Sequence, residues 1–175
     1  MQVYIPAEDS YFFSNFLENY LSNKKNKNIY YLDMGSGTGI LSKTASKFLK
    51  KENITASDIN PLAVKLTKQQ GFKTIKSNLF EKIQGKFDLI TFNAPYLPED
   101  KREPMDSRVA TTGGIKGDEI SVEFIKQAKK HLNKDGKIFL LISSLTPKNK
   151  IKKQNPKIIA RKKIFAEELF ILEIY

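Results

Sequence analysis

The sequence predicts an α/β fold: a mainly parallel, seven-stranded sheet with helices on both faces and a C-terminal antiparallel hairpin. Three observations carry that prediction. Short apolar runs alternate with segments of helical periodicity from residue 29 to residue 142, the pattern of parallel strands joined by helical crossovers. A glycine-rich turn, Gly35-Ser36-Gly37-Thr38-Gly39, follows the first apolar run. The chain then closes on two β-prone runs, Ile158 to Phe165 and Leu169 to Ile174, around Ala166-Glu167, which read as a hairpin.

Each element follows in order. Phe12, Phe13, Phe16, Leu17, Tyr20 and Leu21 fall at helical spacing within residues 7–22. Pro6 suits the first turn, and Glu8 and Asp9 suit its positive end. Lys24 to Asn28 is a polar link. Ile29 to Leu32 is the first strand, ended by Asp33, and residues 39–50 form a helix. Ile54 to Ser57 is the second strand, ended by Asp58. Pro61 opens the next helix and Gly71 terminates it. Phe72 to Ile75 is a short third strand at the sheet edge, and Lys86 to Phe92 is the fourth. Residues 97–116 lack periodicity and hold Pro98, Pro104, Gly113 and Gly114; so long a loop in a small domain is functional or disordered. Residues 118–132 form a helix with Ile120, Phe124, Ile125, Ala128 and Leu132 on one side. Asp135-Gly136 is a turn, and Ile138 to Ile142 is a buried fifth strand. Residues 147–155 are polar and basic, with a short helix. No repeat or boundary divides the chain, which reads as one domain over residues 1–175.

Composition narrows the function. Hydrophobic residues make up 40% of the 175, enough for a full core. No apolar run approaches the roughly 20 residues of a membrane span. Met1-Gln2-Val3-Tyr4-Ile5-Pro6 lacks the basic flank and apolar core of a signal peptide. The absence of cysteine excludes disulfides and thiolate metal sites and fits a reducing cytoplasm. The net charge of +11 suggests an acidic partner such as a nucleic acid. Against that, only Arg102, Arg108 and Arg161 among the 30 basic residues are arginines, and specific phosphate or base recognition leans on arginine. Lys148, Lys150, Lys152, Lys153, Lys157, Arg161, Lys162 and Lys163 form either a solvated face or a surface attracted to a protein partner on the ribosome or, nonspecifically, to RNA. A steep salt dependence would mark the latter. His131, the only histidine, lies near a helix C-terminus, where a cation is electrostatically favoured.

The glycine turn can hold a nucleoside. Gly35, Gly37 and Gly39 stand at alternate positions between a strand and a helix, where glycine lets the backbone approach a ligand. The dinucleotide fingerprint G-x-G-x-x-G would require glycine where Ile40 stands, so the spacing favours S-adenosyl-L-methionine. Asp58, at the end of the second strand, can accept both ribose hydroxyl hydrogens; its alternative role is a helix cap, for which Asn60 is the better candidate. Asp33 can orient the methionine ammonium or hydrogen-bond to the glycine loop. Asn78 and Leu79 follow the third strand, where an adenine edge would lie, although Asn also makes turns. The alternation of elements and this turn together give the pattern of a Rossmann-like class I methyltransferase.

Asn93-Ala94-Pro95-Tyr96 closes the fourth strand. An amide nitrogen is a poor nucleophile because its lone pair is delocalised into the carbonyl. Two fixed oxygens that accept its N–H hydrogens assist it: Asn93 Oδ1 and the Ala94 carbonyl. Pro95 limits how that peptide moves, and Tyr96 can pack on the planar group. Acceleration would come from positioning and electrostatics. Glu8 and Asp9 either cap the first helix or line the acceptor pocket, with Ser10 beside them.

These stretches resemble the HemK-like release-factor glutamine methyltransferases, the short archaeal and eukaryotic type above all. The likeness rests on Val3-Tyr4-Ile5-Pro6-Ala7-Glu8-Asp9-Ser10, the glycine loop with Asp58-Ile59-Asn60-Pro61, Asn93-Ala94-Pro95-Tyr96, and Thr112-Gly113-Gly114-Ile115-Lys116-Gly117. It implies N5-methylation of the glutamine in the Gly-Gly-Gln loop of a class 1 translation release factor. It also implies a small zinc-binding activator subunit as heterodimer partner, paired here with edge strand Phe72–Ile75. The usual motif has Pro where this chain has Ala94. Competing readings are an adenine or cytosine amino-methyltransferase acting on rRNA, tRNA or DNA, a protein-lysine methyltransferase, and an RNA-binding module that keeps the fold. Base methylation in a duplex requires flipping, for which the chain has no separate recognition region.

Overall fold

The computed structural model describes residues 2–99, 111–165 and 167–175. Helix α1 (Glu8–Ser22) precedes strand β1 (Tyr31–Met34). Then follow α2 (Ile40–Ser46), β2 (Ile54–Asp58), α3 (Pro61–Gln69), β3 (Lys73–Lys76) and β4 (Phe87–Asn93). Helix α4 (Glu119–Ala128), β5 (Leu132–Ser143), α5 (Asn149–Lys152), β6 (Lys157–Lys163) and β7 (Glu168–Ile174) complete the described α-helices and strands. Seven strands lie in the order β3-β2-β1-β4-β5-β7-β6. The first five are parallel, and β7 runs antiparallel between β5 and β6.

Two apolar layers clamp the sheet, because successive strand residues face opposite sides. On one side Tyr31, Leu89, Phe139 and Leu141 meet Phe13, Leu17 and Leu21 of α1 and Leu41 and Ala45 of α2. On the other, Leu32, Met34, Ile90, Phe92, Ile138 and Leu140 meet Phe124, Ile125 and Ala128 of α4. Phe139 takes the edges of two α1 rings, Phe16 and Tyr20, at 5.1 and 4.7 Å between centroids. Offset and edge-on aromatic pairs of this kind add about 0.5–1.5 kcal/mol beyond area burial.

Several boundaries depart from the sequence reading. The helix expected over 39–50 ends at Ser46 and relaxes into turns, with Phe48 and Leu49 amides both bonded to Ala45 O. The third strand is Lys73–Lys76 rather than Phe72–Ile75; Phe72 is instead a buried anchor just before it. It does form an edge of the sheet. Asp135-Gly136 falls inside β5. Phe87 pairs with Leu132 and Leu89 with Lys137, so the intervening residues bulge from the ladder, and Asp135 adopts φ 63°. The turn chemistry was legible, but non-local pairing on both sides of it makes one strand. His131 Nδ1 donates to Gly85 O (2.9 Å) and the ring stacks on Phe80, a structural placement.

Candidate active site

At the carboxyl ends of β1 and β4 the sheet order reverses direction, the crevice where α/β sheets take ligands. A cavity of about 400 Å³ opens there. The side expected to hold a nucleoside is built from β1, β2 and the turns that follow them. Gly35, Gly37 and Gly39 have φ of 63°, 53° and 82°, which L-residues with a side chain rarely adopt. Gly35 and Gly37 line the cavity. Gly39 sits behind it as the N-cap of α2, its amide bonded to Ser36 O.

Asp33 is 1% exposed. Its Oδ2 accepts from the Ser42 amide and hydroxyl at 2.9 and 2.6 Å. Oδ1 is buried with no hydrogen-bond partner among the described residues. Burial pushes this carboxyl up to about 7, with the Ser42 bonds opposing the shift. An unmatched buried acceptor in a cavity wall fits a cationic donor. Asp58 accepts from the Gly37 amide and the Asn60 amide, both at 2.8 Å, and burial raises its pKa against those bonds. Each oxygen keeps a second lone pair. The cap of α3 is Asn60, whose Oδ1 accepts from Leu62 N at 2.9 Å, so Asp58 is not the cap. Asn78 and Leu79 line the cavity, but the Asn78 amide group donates to Glu81 at 2.9 Å, and Leu79 holds φ 45°.

On the side expected to take the acceptor, Asn93 ends β4. Its Nδ2 donates to Asp9 Oδ2 at 2.9 Å. Its Oδ1 is buried and has no partner among the described residues. Asp9 Oδ1 in turn accepts from the Tyr4 hydroxyl and the Ser10 hydroxyl, both at 3.2 Å. Ala94, Pro95, Tyr96 and Ser10 also line the cavity. Burial, with Asp9 and then Glu167 nearby, pushes the Tyr96 hydroxyl pKa upward; Tyr4 is raised by burial and by Asp9. Both phenols are therefore neutral hydrogen-bonding groups at ordinary pH.

Of the predicted site residues, Gly39 and Glu8 do not line the cavity: Gly39 caps α2 behind it, and Glu8 is directed elsewhere. Glu8 pairs with Lys162 at 3.2 Å on the surface. Asp9 and Ser10 turn their face of α1 toward the crevice, and Glu8, about 100° from Asp9 around the helix, points to Lys162 instead. Four contributors escaped the sequence reading. Tyr4 and Ile59 both line the cavity, and both stand within stretches that carry the family resemblance without a role of their own there; Ile59 is 41% exposed beside Asp58. Ser42 is an ordinary helix residue until Asp33 is placed beside it. Glu167, which accepts from Ser143 Oγ and faces Tyr96, comes from the far hairpin, and nothing local marks it. The Thr112–Gly117 stretch lies against the acceptor loop: Leu97 pairs with Thr112, and the Leu97 amide donates to Thr111 O and the Gly113 amide to Leu97 O. Residues 100–110, the middle of the expected loop, fall outside the described residues.

Fold and crevice together define a methyltransferase of the class I, Rossmann-like kind. The chain belongs to the methyltransferase small domain family, whose sequence profile matches residues 12–165. It is 40% identical, over 99% of its length and 92% of the relative's, to a candidate protein N5-glutamine methyltransferase of Methanocaldococcus jannaschii. A release factor glutamine methyltransferase of Aquifex aeolicus is 34% identical over 63% of this chain, which spans 44% of that protein. A ribosomal RNA small subunit methyltransferase C of Haemophilus influenzae is 28% identical over 71% of this chain and 35% of its own. Among solved structures, a ribosomal protein L11 methylase from Lactobacillus delbrueckii subsp. bulgaricus superposes with a TM-score of 0.65 at 19% identity, covering 99% of this chain and 81% of that one. Among the described residues no helix is long and apolar enough to cross a membrane, and no cluster of three or more His, Cys, Asp or Glu could hold a metal ion.

Proposed function

We propose that this chain methylates a planar amide nitrogen, with S-adenosylmethionine as methyl donor, and that its acceptor is the glutamine of the Gly-Gly-Gln loop of a class 1 translation release factor. The observation that carries the reading is Asn93: its amide group is held by Asp9, while its oxygen is buried and unpartnered among the described residues. Such an oxygen suits one N–H of an incoming carboxamide, and the Ala94 carbonyl suits the other. The glutamine relatives support the choice of acceptor.

The residues present fit the donor. Asp33 Oδ1 would take the ammonium, Asp58 the ribose hydroxyls, and Ile59 and Leu79 the faces of the adenine. When bound, S-adenosylmethionine supplies a methyl group made electrophilic by its sulfonium. The protein's task is to hold the acceptor nitrogen in line, exclude water and accept its hydrogens, which lets the nitrogen pyramidalise as it is methylated. The positively charged product nitrogen is acidic and loses a proton without a strong base.

A heterodimer with a small zinc-binding activator follows from the same reading. The unpaired edge of β3 lies beside α3, which exposes Leu62 and Leu66 at 49% and 37%, a surface suited to strand addition with apolar cover. The site of action would be the cytoplasm. A second reading, methylation of an exocyclic amine in RNA, is favoured by the ribosomal RNA relative and by the basic band from Lys148 to Lys163. In that band only Lys150 and Lys162 have ion-pair partners among the described residues. Incubating the chain with labelled S-adenosylmethionine and either release factor or total RNA, with and without the activator, decides between them. Label on the Gly-Gly-Gln glutamine is expected, and label confined to RNA would replace the first reading with the second.

A further inference from the structure

Asn93 has two orientations that differ only by exchange of its amide oxygen and nitrogen. Transfer to an amide nitrogen needs the oxygen toward the acceptor. Nothing on Asn93 itself selects that orientation, so its surroundings must. The contact is Asp9 Oδ2, 2.9 Å from Asn93 Nδ2. A carboxylate only accepts hydrogen bonds. Turning the amide over would place Asn93 Oδ1 against Asp9 Oδ2, two acceptors with no proton between them, and would present N–H groups to an acceptor that also carries N–H groups.

Asp9 is itself held. The Tyr4 and Ser10 hydroxyls donate to its other oxygen, and it is 6% exposed. It stands in the first turn of α1, where unsatisfied amides favour a negative charge. The helix that carries it is pinned through Phe13, Leu17 and Leu21 to the same face of the sheet as Leu89 of β4. Ser14 of α1 and Thr44 of α2 share a buried hydrogen bond of 2.7 Å. The carboxylate is thus fixed relative to Asn93 by packed elements, not by a loop.

We propose that Asp9 is a positioning residue that locks the Asn93 side-chain amide in the acceptor-ready orientation, an inference that rests on the amide-methylation reading above. Asp9 does not touch the acceptor; it acts through Asn93. The lock makes the site selective for acceptors that present N–H groups, because the flipped amide that would serve a hydrogen-bond acceptor is excluded.

The test uses the full chain with its activator and release factor. In Asp9→Ala, kcat should fall about tenfold to a hundredfold, the range expected when a positioning contact is lost, with the release-factor KM and the cofactor Kd within about twofold. Asp9→Asn should restore most of the rate, since its Oδ1 can accept from Asn93 while its amide donates to the Tyr4 and Ser10 oxygens. A direct readout comes from the Asn93 side-chain amide protons in nitrogen-15 spectra, assigned by their loss in Asn93→Ala. They should exchange slowly in the wild type and in Asp9→Asn, and rapidly in Asp9→Ala. An Asp9→Ala enzyme with unchanged kcat, an Asp9→Asn enzyme as impaired as Asp9→Ala, or Asn93 protons indifferent to Asp9 would overturn the proposal. If the wild type fails to label the release factor, the acceptor reading falls, while the exchange measurement still decides whether Asp9 holds Asn93.

Discussion

A β-carbon placed on Gly113 would lie 2.6 Å from the carbonyl oxygen of Pro95. Four residues further on, one at Gly117 would lie 2.8 Å from the Tyr96 carbonyl oxygen. The segment before α4 is therefore pressed flat against the acceptor loop, and Thr112-Gly113-Gly114-Ile115-Lys116-Gly117 serves as its backing. Gly113 does not adopt a positive φ, so space alone forbids a side chain there. Because a Gly113 β-carbon would lie closer still to the Gly117 carbonyl oxygen, Gly113→Ala should disturb the Gly113–Gly117 turn together with Pro95 and Tyr96 and lower kcat on the release factor at least about tenfold, since small displacements of positioning groups are costly. The nucleoside side, built on β1 and β2, should keep its cofactor affinity within about twofold. Parallel calorimetry and turnover measurements check this; equal losses in both would show that the backing supports the whole crevice.

Asp33 yields a pH prediction. Burial raises its pKa from 3.8 to about 7, so between those values the folded protein holds a proton that the unfolded chain releases. Folding stability contributed by this group therefore falls as pH rises from 4 to 7. Binding a cation next to Asp33 Oδ1 reverses the preference and expels the proton. Cofactor affinity should strengthen as pH rises toward 7 and level off above it. Titrations at several pH values, in buffers of different ionisation heat, will show proton release below neutrality. Asp33→Asn should bind weakly with no such dependence, and a wild-type affinity flat from pH 5.5 to 8 would refute the role.

Asn93→Ala should abolish transfer while leaving cofactor binding nearly intact, because its side chain stands on the acceptor side. Asn93→Asp retains the shape but sets two carboxylates against each other at Asp9, and should be inactive for that reason. Rapid-quench assays with labelled donor measure both. Turnover in the alanine variant within about tenfold of the wild type would remove Asn93 from the mechanism.

The β3 edge makes a fourth test. Leu62→Glu and Leu66→Glu alter exposed positions of α3, and such changes shift stability by about 0.5 kcal/mol or less. They should leave the melting temperature of the isolated chain unchanged and abolish co-elution with the activator. Persistence of the complex would move the interface away from α3 and β3.

The sequence made the sheet legible because short β-prone runs stand where β1, β2 and β4 form, with Asp33, Asp58 and Asn93 at or next to their carboxyl ends. Asp33, Asp58 and Asn93 could be placed at strand ends from local pattern alone, and they meet at the crevice. What local pattern could not supply was rotation and distance. Glu8 and Asp9 are chemically equivalent neighbours, and only the packing of Phe13 and Leu17 decides which one faces Asn93. Glu167 reaches Tyr96 through a hairpin whose register depends on β5. The same dependence hid the continuity of β5 through Asp135-Gly136, since turn chemistry is local and ladder pairing is not.

The strand order divides the labour of the crevice. In the proposed function, β1 to β3 furnish the nucleoside side, whereas β4 and the segments after it furnish the acceptor side, so the two surfaces lie in successive stretches of the chain. Sequence drift in the later stretch can retarget the enzyme to a new acceptor without disturbing the methyl donor's seat. Relatives with such different nominal acceptors are the outcome that this arrangement invites. α1 is the exception: it precedes β1 yet reaches across to Asn93, so a substitution at Asn93 itself also changes what Asp9 contacts.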